Sequence, residues 1–230
     1  MTIVILSGAG ISAESGIKTF RDSGGLWEDH EIMDVASIQG WHKNQALVLD
    51  FYNKRRQQLK DVKPNKAHYA LAELEEYHDL TIITQNVDDL HERAGSKNVL
   101  HLHGELNKVR SVVSDGPCYE WYKDLHIGDV AEDGHQMRPH IVWFGEAVPM
   151  LEKAISIVMG AEILIIIGTS LQVYPAAGLS GYVNNSCKIY YCDLNPELNF
   201  ELQQNKNLQV IPGRAAKEVP LLVNTLINSV

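Results

Sequence analysis

Ile3-Val4-Ile5-Leu6-Ser7-Gly8-Ala9-Gly10-Ile11-Ser12-Ala13-Glu14-Ser15-Gly16-Ile17-Lys18-Thr19-Phe20-Arg21 is the stretch that decides the fold. The short apolar run from Ile3 to Leu6 reads as a buried strand, and it empties directly into a glycine-rich turn. Gly8, Gly10 and Ala13 satisfy the G-x-G-x-x-G/A pattern, in which small residues let the backbone turn tightly and approach a pyrophosphate at a helix N-terminus. A dinucleotide is the first ligand to expect.

Outward from that turn, Leu80 to Thr84, Ile163 to Ile167 and Lys188 to Cys192 repeat the pattern of a short apolar or β-branched run ending in a polar or glycine-containing turn. Helical patterns lie between them, as at Lys66 to Tyr77 and Leu151 to Met159. This alternation predicts an α/β fold, a Rossmann-like and mostly parallel sheet with helices on both faces. Ligands bind such sheets at the carboxyl ends of the strands. Residues 22–62 and 104–138 interrupt the alternation and are expected to form a smaller inserted part. Residues 1–21, 63–103 and 139–230 then form the larger part of one domain. An acidic ribose ligand about twenty residues past the glycines would fall near Glu28, but no second strand precedes it.

The 230 residues suffice for a sizeable core, and 45% hydrophobic with 21% charged is a soluble composition. A formal charge of −9 argues against nucleic-acid binding, which rests on clustered cations. No apolar run reaches the length of a membrane span, and a strand beginning near Thr2 leaves no room for a signal peptide. A bacterial cytoplasm is the expected location. Cys118, Cys187 and Cys192 form no disulfide framework.

Further motifs follow in order: Thr84-Gln85-Asn86-Val87-Asp88-Asp89-Leu90-His91, His101-Leu102-His103-Gly104-Glu105-Leu106, Arg138-Pro139-His140-Ile141-Val142-Trp143-Phe144-Gly145-Glu146, Gly168-Thr169-Ser170 and Leu194-Asn195-Pro196-Glu197. Together with the opening stretch this set resembles the sirtuins, the NAD-dependent protein deacylases, from about Ile3 to about Val219. The resemblance implies that Gly8, Ala9, Gly10, Ala13, Phe20 and Arg21 belong to the cofactor loop, with Phe20 shielding the reactive sugar and Arg21 near the phosphates. Lys18 stands where sirtuins usually have proline. Asp88 would hold the nicotinamide carboxamide, and Gln85, Asn86 and Val87 would line the ribose. Gly168, Thr169, Ser170, Asn195, Pro196, Glu197 and Ala215 would surround the adenosine half.

His101 and His103 alternate, so an extended backbone points both to one side and pattern alone does not choose between them. The resemblance assigns the base to His103. It implies attack by the acyl-lysine carbonyl oxygen on the anomeric carbon of the nicotinamide ribose, with nicotinamide leaving. His103 then assists the neighbouring ribose hydroxyl, and lysine and 2′-O-acyl-ADP-ribose are released. NAD is consumed, which excludes hydride transfer. Asn86 and Asp88 share the catalytic centre. Val142, Trp143, Phe144, Gly145 and Glu146, with Val173 and Tyr174, would hold an acylated-lysine peptide as an added strand.

Tyr52 and Arg55 fall three apart on one helical face and match the Tyr-x-x-Arg pair of sirtuins that remove succinyl and malonyl groups. A guanidinium and a phenol suit a carboxylate. Arg56, one position further round, is expected to face away. Most sirtuins also hold a structural zinc on two cysteine pairs. Here Ser111-Val112-Val113-Ser114 occupies the first C-x-x-C, and nothing replaces the second pair near Asp133 to Gln136. The spacing of Cys118, His126 and His135 fits no ordinary zinc pattern. No zinc is expected, and Pro117, Tyr119, Trp121 and Tyr122 are the expected apolar substitute. The sequence also admits mono-ADP-ribosyl transfer or NAD hydrolysis, and a non-catalytic NAD or ADP-ribose binding module. His103 and the Tyr52–Arg55 pair favour the deacylase. The sequence is silent on oligomeric state.

Overall fold

Alternation along β1 (Thr2–Ser7) builds two core layers at once. In the computed structural model, which describes residues 1–18, 26–27, 30–113 and 116–228, Ile3 and Ile5 enter one hydrophobic cluster and Val4 and Leu6 the other, all fully buried. The other strands are β2 (Leu26–Trp27), β3 (His30–Glu31), β4 (Asp79–Thr84), β5 (Val99–His101), β6 (Gly104–Ser111), β7 (Tyr119–Glu120), β8 (Met137–Ile141), β9 (Ile163–Ile167), β10 (Lys188–Asp193) and β11 (Leu208–Pro212). The α-helices are α1 (Ile32–Val35), α2 (Ile38–Lys43), α3 (Gln45–Asp61), α4 (Lys66–Glu75), α5 (Leu90–Ala94), α6 (Leu151–Met159), α7 (Phe200–Gln203) and α8 (Ala215–Ile227).

Six strands form one parallel sheet in the order β11-β10-β9-β1-β4-β5. Helices α4 and α8 pack on the face of Ile3 and Ile5, and α6 packs on the other. The chain leaves β1 toward β4 on one side and returns on the other through β9, so strand order reverses beside β1. A crevice at that reversal is where such sheets take ligands. The expected strands are all present. Strands β5 and β11 at the two sheet edges were not expected, and α4 ends at Glu75, short of Tyr77.

A third cluster lies apart from this sheet, where α3, the antiparallel sheet β7-β6-β8 and the segment around Trp143 bury Phe51, Tyr52, Val109, Leu125, Met137 and Trp143. The expected apolar substitute for zinc is only partly right. Trp121 and Tyr119 pack against this cluster, but Tyr122 and Pro117 are exposed, and Leu125 is the fully buried residue of that segment. Asn53 of α3 pins this segment by bonds to both the amide and the carbonyl of Leu125.

Candidate functional site

Every loop leaving the carboxyl end of a strand near the reversal carries residues singled out in the sequence. Gly8 to Gly16 follow β1, Gln85 to Asp89 follow β4, His103 follows β5, Gly168 to Ser170 follow β9 and Asn195 to Glu197 follow β10. Thr19 to Arg21 lie outside the described residues, and with them the expected roles of Phe20 and Arg21. The glycines also bring two loops together. The Gly8 amide donates to the Ile167 carbonyl at 3.0 Å and the Gly10 amide to the Gly168 carbonyl at 2.8 Å. A Cβ on Gly10 would lie 2.6 Å from the Gly168 Cα. These residues are small so that the loops after β1 and β9 can touch, and their own N–H groups are spent on that contact. Ala9 and Ala13 open two short 3₁₀ turns beside it, and Glu14 ties the loop to α8 by accepting from the Ala216 amide at 2.8 Å.

Behind the loops lies a buried polar network. Ser12 Oγ donates to Asp88 Oδ2 at 3.0 Å and accepts from Asn86 Nδ2 at 3.2 Å. Ser7 Oγ donates to Thr84 Oγ1 at 2.9 Å, and His91 Nε2 lies 3.0 Å from the same Ser7 oxygen. Burial pushes the Asp88 carboxyl up to about 6 against the opposing pull of its bonds from the Leu90 amide and Ser12. Burial also pushes His68 down to about 4, and His91 well below its ordinary value. Gln85 Nε2 donates to Thr169 Oγ1 at 3.1 Å, which joins the β4 and β9 loops across the crevice. Asn195 makes a turn by donating its amide to Asp193, while Glu197 accepts from Gln172 Nε2 at 2.6 Å. Ser7, Ser12, His68 and His91 were missed in the sequence. Nothing in their spacing marks them as one network.

Carbonyl partners separate the two histidines that the pattern left open. His101 Nδ1 lies 3.0 Å from the Asn86 carbonyl and Nε2 lies 2.8 Å from Glu92 Oε1. Both partners only accept, so both ring nitrogens carry protons. Burial alone would lower its pKa, but the hydrogen bond and charge of Glu92 outweigh burial and raise it. His103 Nδ1 faces the Gln85 carbonyl at 3.0 Å, which fixes the proton there and leaves the Nε2 lone pair to accept one. Burial holds this imidazole below its usual value, partly offset by that bond. Of the two rings, His103 is the one whose carbonyl bond leaves an acceptor nitrogen.

Tyr52 and Arg55, the pair expected to bind an acyl group, lie at one small cavity. Its volume is about 50 Å³, and Lys18, Asp88, Ile17, Gln58, Leu59, Val87 and Leu106 complete its lining. Arg55 is half-buried, with its guanidinium 4.6 Å from the Phe51 ring centroid. Arg56, expected to face away, does not line this cavity, yet it is not at the surface either. It is fully buried, donating from Nε to the Leu106 carbonyl at 3.1 Å and from Nη1 to Asn53 Oδ1 at 2.8 Å. Leu106 of β6 and the segment at Lys123 close over this part of α3, and helical spacing alone could not reveal that cover.

Of the expected peptide-holding residues, Phe144, Val173 and Tyr174 are exposed. Trp143 is buried, and Glu146 is held by Arg138 at 2.6 and 2.9 Å. The amides of Val142, Trp143 and Phe144 donate to the His103 carbonyl, Glu146 Oε2 and the Ala36 carbonyl. Among the described residues no cluster of His, Cys, Asp or Glu could hold a metal ion, and Ser114 lies outside them. Cys118 Sγ lies 3.2 Å from His140 Nδ1, a residue outside the trio with His126 and His135.

A family model described as the Sir2 family matches residues 8–175. An NAD-dependent protein deacylase of Helicobacter pylori is 64% identical over 225 residues, covering 98% of this chain and 95% of that protein. One from Bacteroides thetaiotaomicron is 49% identical, covering 98% and 97%. Among solved structures, a Sir2 homologue–NAD complex superposes with a TM-score of 0.87 at 38% identity, over 99% of this chain and 90% of that one. A Sir2 bound to acetylated peptide gives 0.80 at 30% identity, over 97% and 92%.

Proposed function

The chain belongs to the Sir2 family, and from that premise we propose that it is an NAD-dependent protein-lysine deacylase acting on succinyl and malonyl as well as acetyl groups. One observation carries the catalytic assignment: His103 keeps an acceptor nitrogen, whereas both nitrogens of His101 are committed as donors. NAD supplies the electrophilic sugar carbon and the acyl acceptor. The chain's own residues bind and orient. Ser12 and the Leu90 amide hold Asp88 where a carboxamide N–H can be accepted, the Gln85–Thr169 bond joins the loops that flank the ribose, and His103 Nε2 takes the hydroxyl proton. The touching glycine loops after β1 and β9 leave room for the pyrophosphate only outside their backbone.

Acidic-acyl selectivity rests on Tyr52, Arg55 and Lys18 sharing a cavity with Asp88, which puts cationic groups at the far end of an acyl-lysine chain. The buried free thiols Cys187 and Cys192 suit a reducing compartment, and we place the enzyme in the cytoplasm. Incubation with NAD and a succinyl-lysine or acetyl-lysine peptide, followed by mass spectrometry, tests the whole reading. Nicotinamide, free lysine peptide and 2′-O-acyl-ADP-ribose are expected in equal amounts. Nicotinamide without deacylated peptide would indicate NAD hydrolysis instead.

A further inference from the structure

Trp143 turns away from the surface that its neighbour Phe144 occupies. Its side chain is buried, and its indole Nε1–H donates to the Tyr52 hydroxyl oxygen at 3.0 Å. We propose that Trp143 is a positioning residue for acyl selection, acting through Tyr52 rather than on the substrate. This rests on the acidic-acyl reading above and names the group that makes Tyr52 serve it.

An indole N–H can only donate, whereas a phenol has one proton and two lone pairs. Trp143 therefore fills an acceptor position of Tyr52 and turns the phenol proton from that direction, so that the hydroxyl meets a cavity ligand as donor. A donor is what a carboxylate requires and what a methyl group ignores. The indole is itself clamped. The Arg138 guanidinium carbon lies 3.4 Å from its ring centroid, and the Trp41 ring lies 5.5 Å away. Arg138 is fixed by two bonds to Glu146, and Glu146 Oε2 also accepts the Trp143 amide at 2.8 Å. Glu146, directly and through Arg138 of β8, thus holds both the backbone and the ring of the residue that orients Tyr52. A ring needed only to fill the core would be served by phenylalanine, with no buried N–H to satisfy.

The test is Trp143→Phe, which keeps a ring for Arg138 and removes the donor. The ratio of kcat/KM for succinyl-lysine peptide over acetyl-lysine peptide is expected to fall roughly 3- to 10-fold, the range for one neutral hydrogen bond, mostly through KM for the succinyl substrate. In a Tyr52→Phe background the same change is expected to move the ratio less than about 2-fold, because the pathway is already cut. An unchanged ratio, or an equal fall in both backgrounds, overturns the role. Should Trp143→Phe not fold, the indole N–H signals of the four tryptophans in the unmutated protein serve instead. One of them is expected to move on Tyr52→Phe and on adding succinyl-lysine peptide, and to stay in place with acetyl-lysine peptide; four unmoved signals overturn the role. Arg55→Met measured alongside separates two failures. A ratio that falls for Arg55→Met alone removes only Trp143, whereas a ratio unmoved by both removes the acidic-acyl reading and this proposal with it.

Discussion

The two ends of the crevice bury polar groups in opposite ways. Behind the strand ends, Ser7, Ser12, Thr84, His68 and His91 form a network whose histidines are held neutral by burial and whose carboxyl, Asp88, is pushed up to about 6. Around α3 the buried groups are guanidiniums, Arg56 and Arg138, held by carbonyls, Glu146 and a ring face. A histidine can shed its charge when water is removed and an arginine cannot, so the second end must keep positive charge inside, whereas at the first end His68 and His91 shed theirs and His101 is charged only against Glu92. The first end therefore suits an uncharged amide and a ribose hydroxyl, and the second suits an anion. Under the proposed function, the contrast assigns chemistry to one end and selection to the other.

The largest effect should break the first end. His103→Ala is expected to reduce deacylation by roughly 10²-fold or more while leaving NAD binding in place, as calorimetry and steady-state kinetics would measure. Because burial lowers the His103 pKa, the ring stays neutral to lower pH than an ordinary histidine. The acid limb of kcat/KM should accordingly lie below about 6.5. Near-normal turnover by His103→Ala would remove it from the role, and a limb above that value would contradict the burial argument.

At the second end, Arg55→Met should lower the succinyl-to-acetyl ratio of kcat/KM by roughly 10- to 150-fold, the loss expected for one charge-assisted bond. Equal losses on both substrates would mean that Arg55 supports the fold, and the contrast between the two ends would collapse. Arg56→Met probes stability there instead. Removing this buried guanidinium orphans the Leu106 carbonyl and leaves Asn53 Oδ1 with the Leu125 amide alone, so a loss of about 2–4 kcal/mol is expected by denaturant unfolding. The succinyl-to-acetyl ratio should hardly move in whatever protein remains folded. A variant as stable as the parent would show that these bonds gain nothing over water.

Legibility in the sequence follows burial. Strand β9 is buried throughout, so Ile163 to Ile167 are an unbroken apolar run and the predicted bounds match the observed ones. Strand β11 is an edge strand with no fully buried residue, and β5 is only three residues long, so neither carries a pattern to read. The loops at the strand ends were legible because glycines and polar clusters interrupt apolar runs. The burial of Arg56 was not legible, because helical spacing says which face a residue occupies and nothing about what covers that face. His101 and His103 could not be told apart by spacing, since the distinction lies in Glu92 and in two carbonyls of a different loop.

The smallest expected effect concerns the region that carries zinc in most sirtuins. Here residues 126–137 close on themselves. The Gly128 amide donates to Gln136 Oε1 at 2.7 Å, Gln136 Nε2 donates to the His126 carbonyl at 3.0 Å, and the Ala131 amide donates to the His135 carbonyl at 2.9 Å. Beneath them Leu125, Val109 and Met137 join the cluster of Trp143, and Arg56 fastens the preceding segment through Nη1 to the Lys123 carbonyl. A core and a set of bonds that close without a metal have no folding energy to lose when one is withdrawn. Purified protein is therefore expected to contain no stoichiometric zinc by elemental analysis, and chelators should leave its melting temperature and its deacylase activity unchanged. One tightly bound zinc per chain, with a lower melting temperature once it is removed, would show that thiol and imidazole groups such as Cys118 and His140 come together on a metal after all, and that the small part of the fold is not self-supporting.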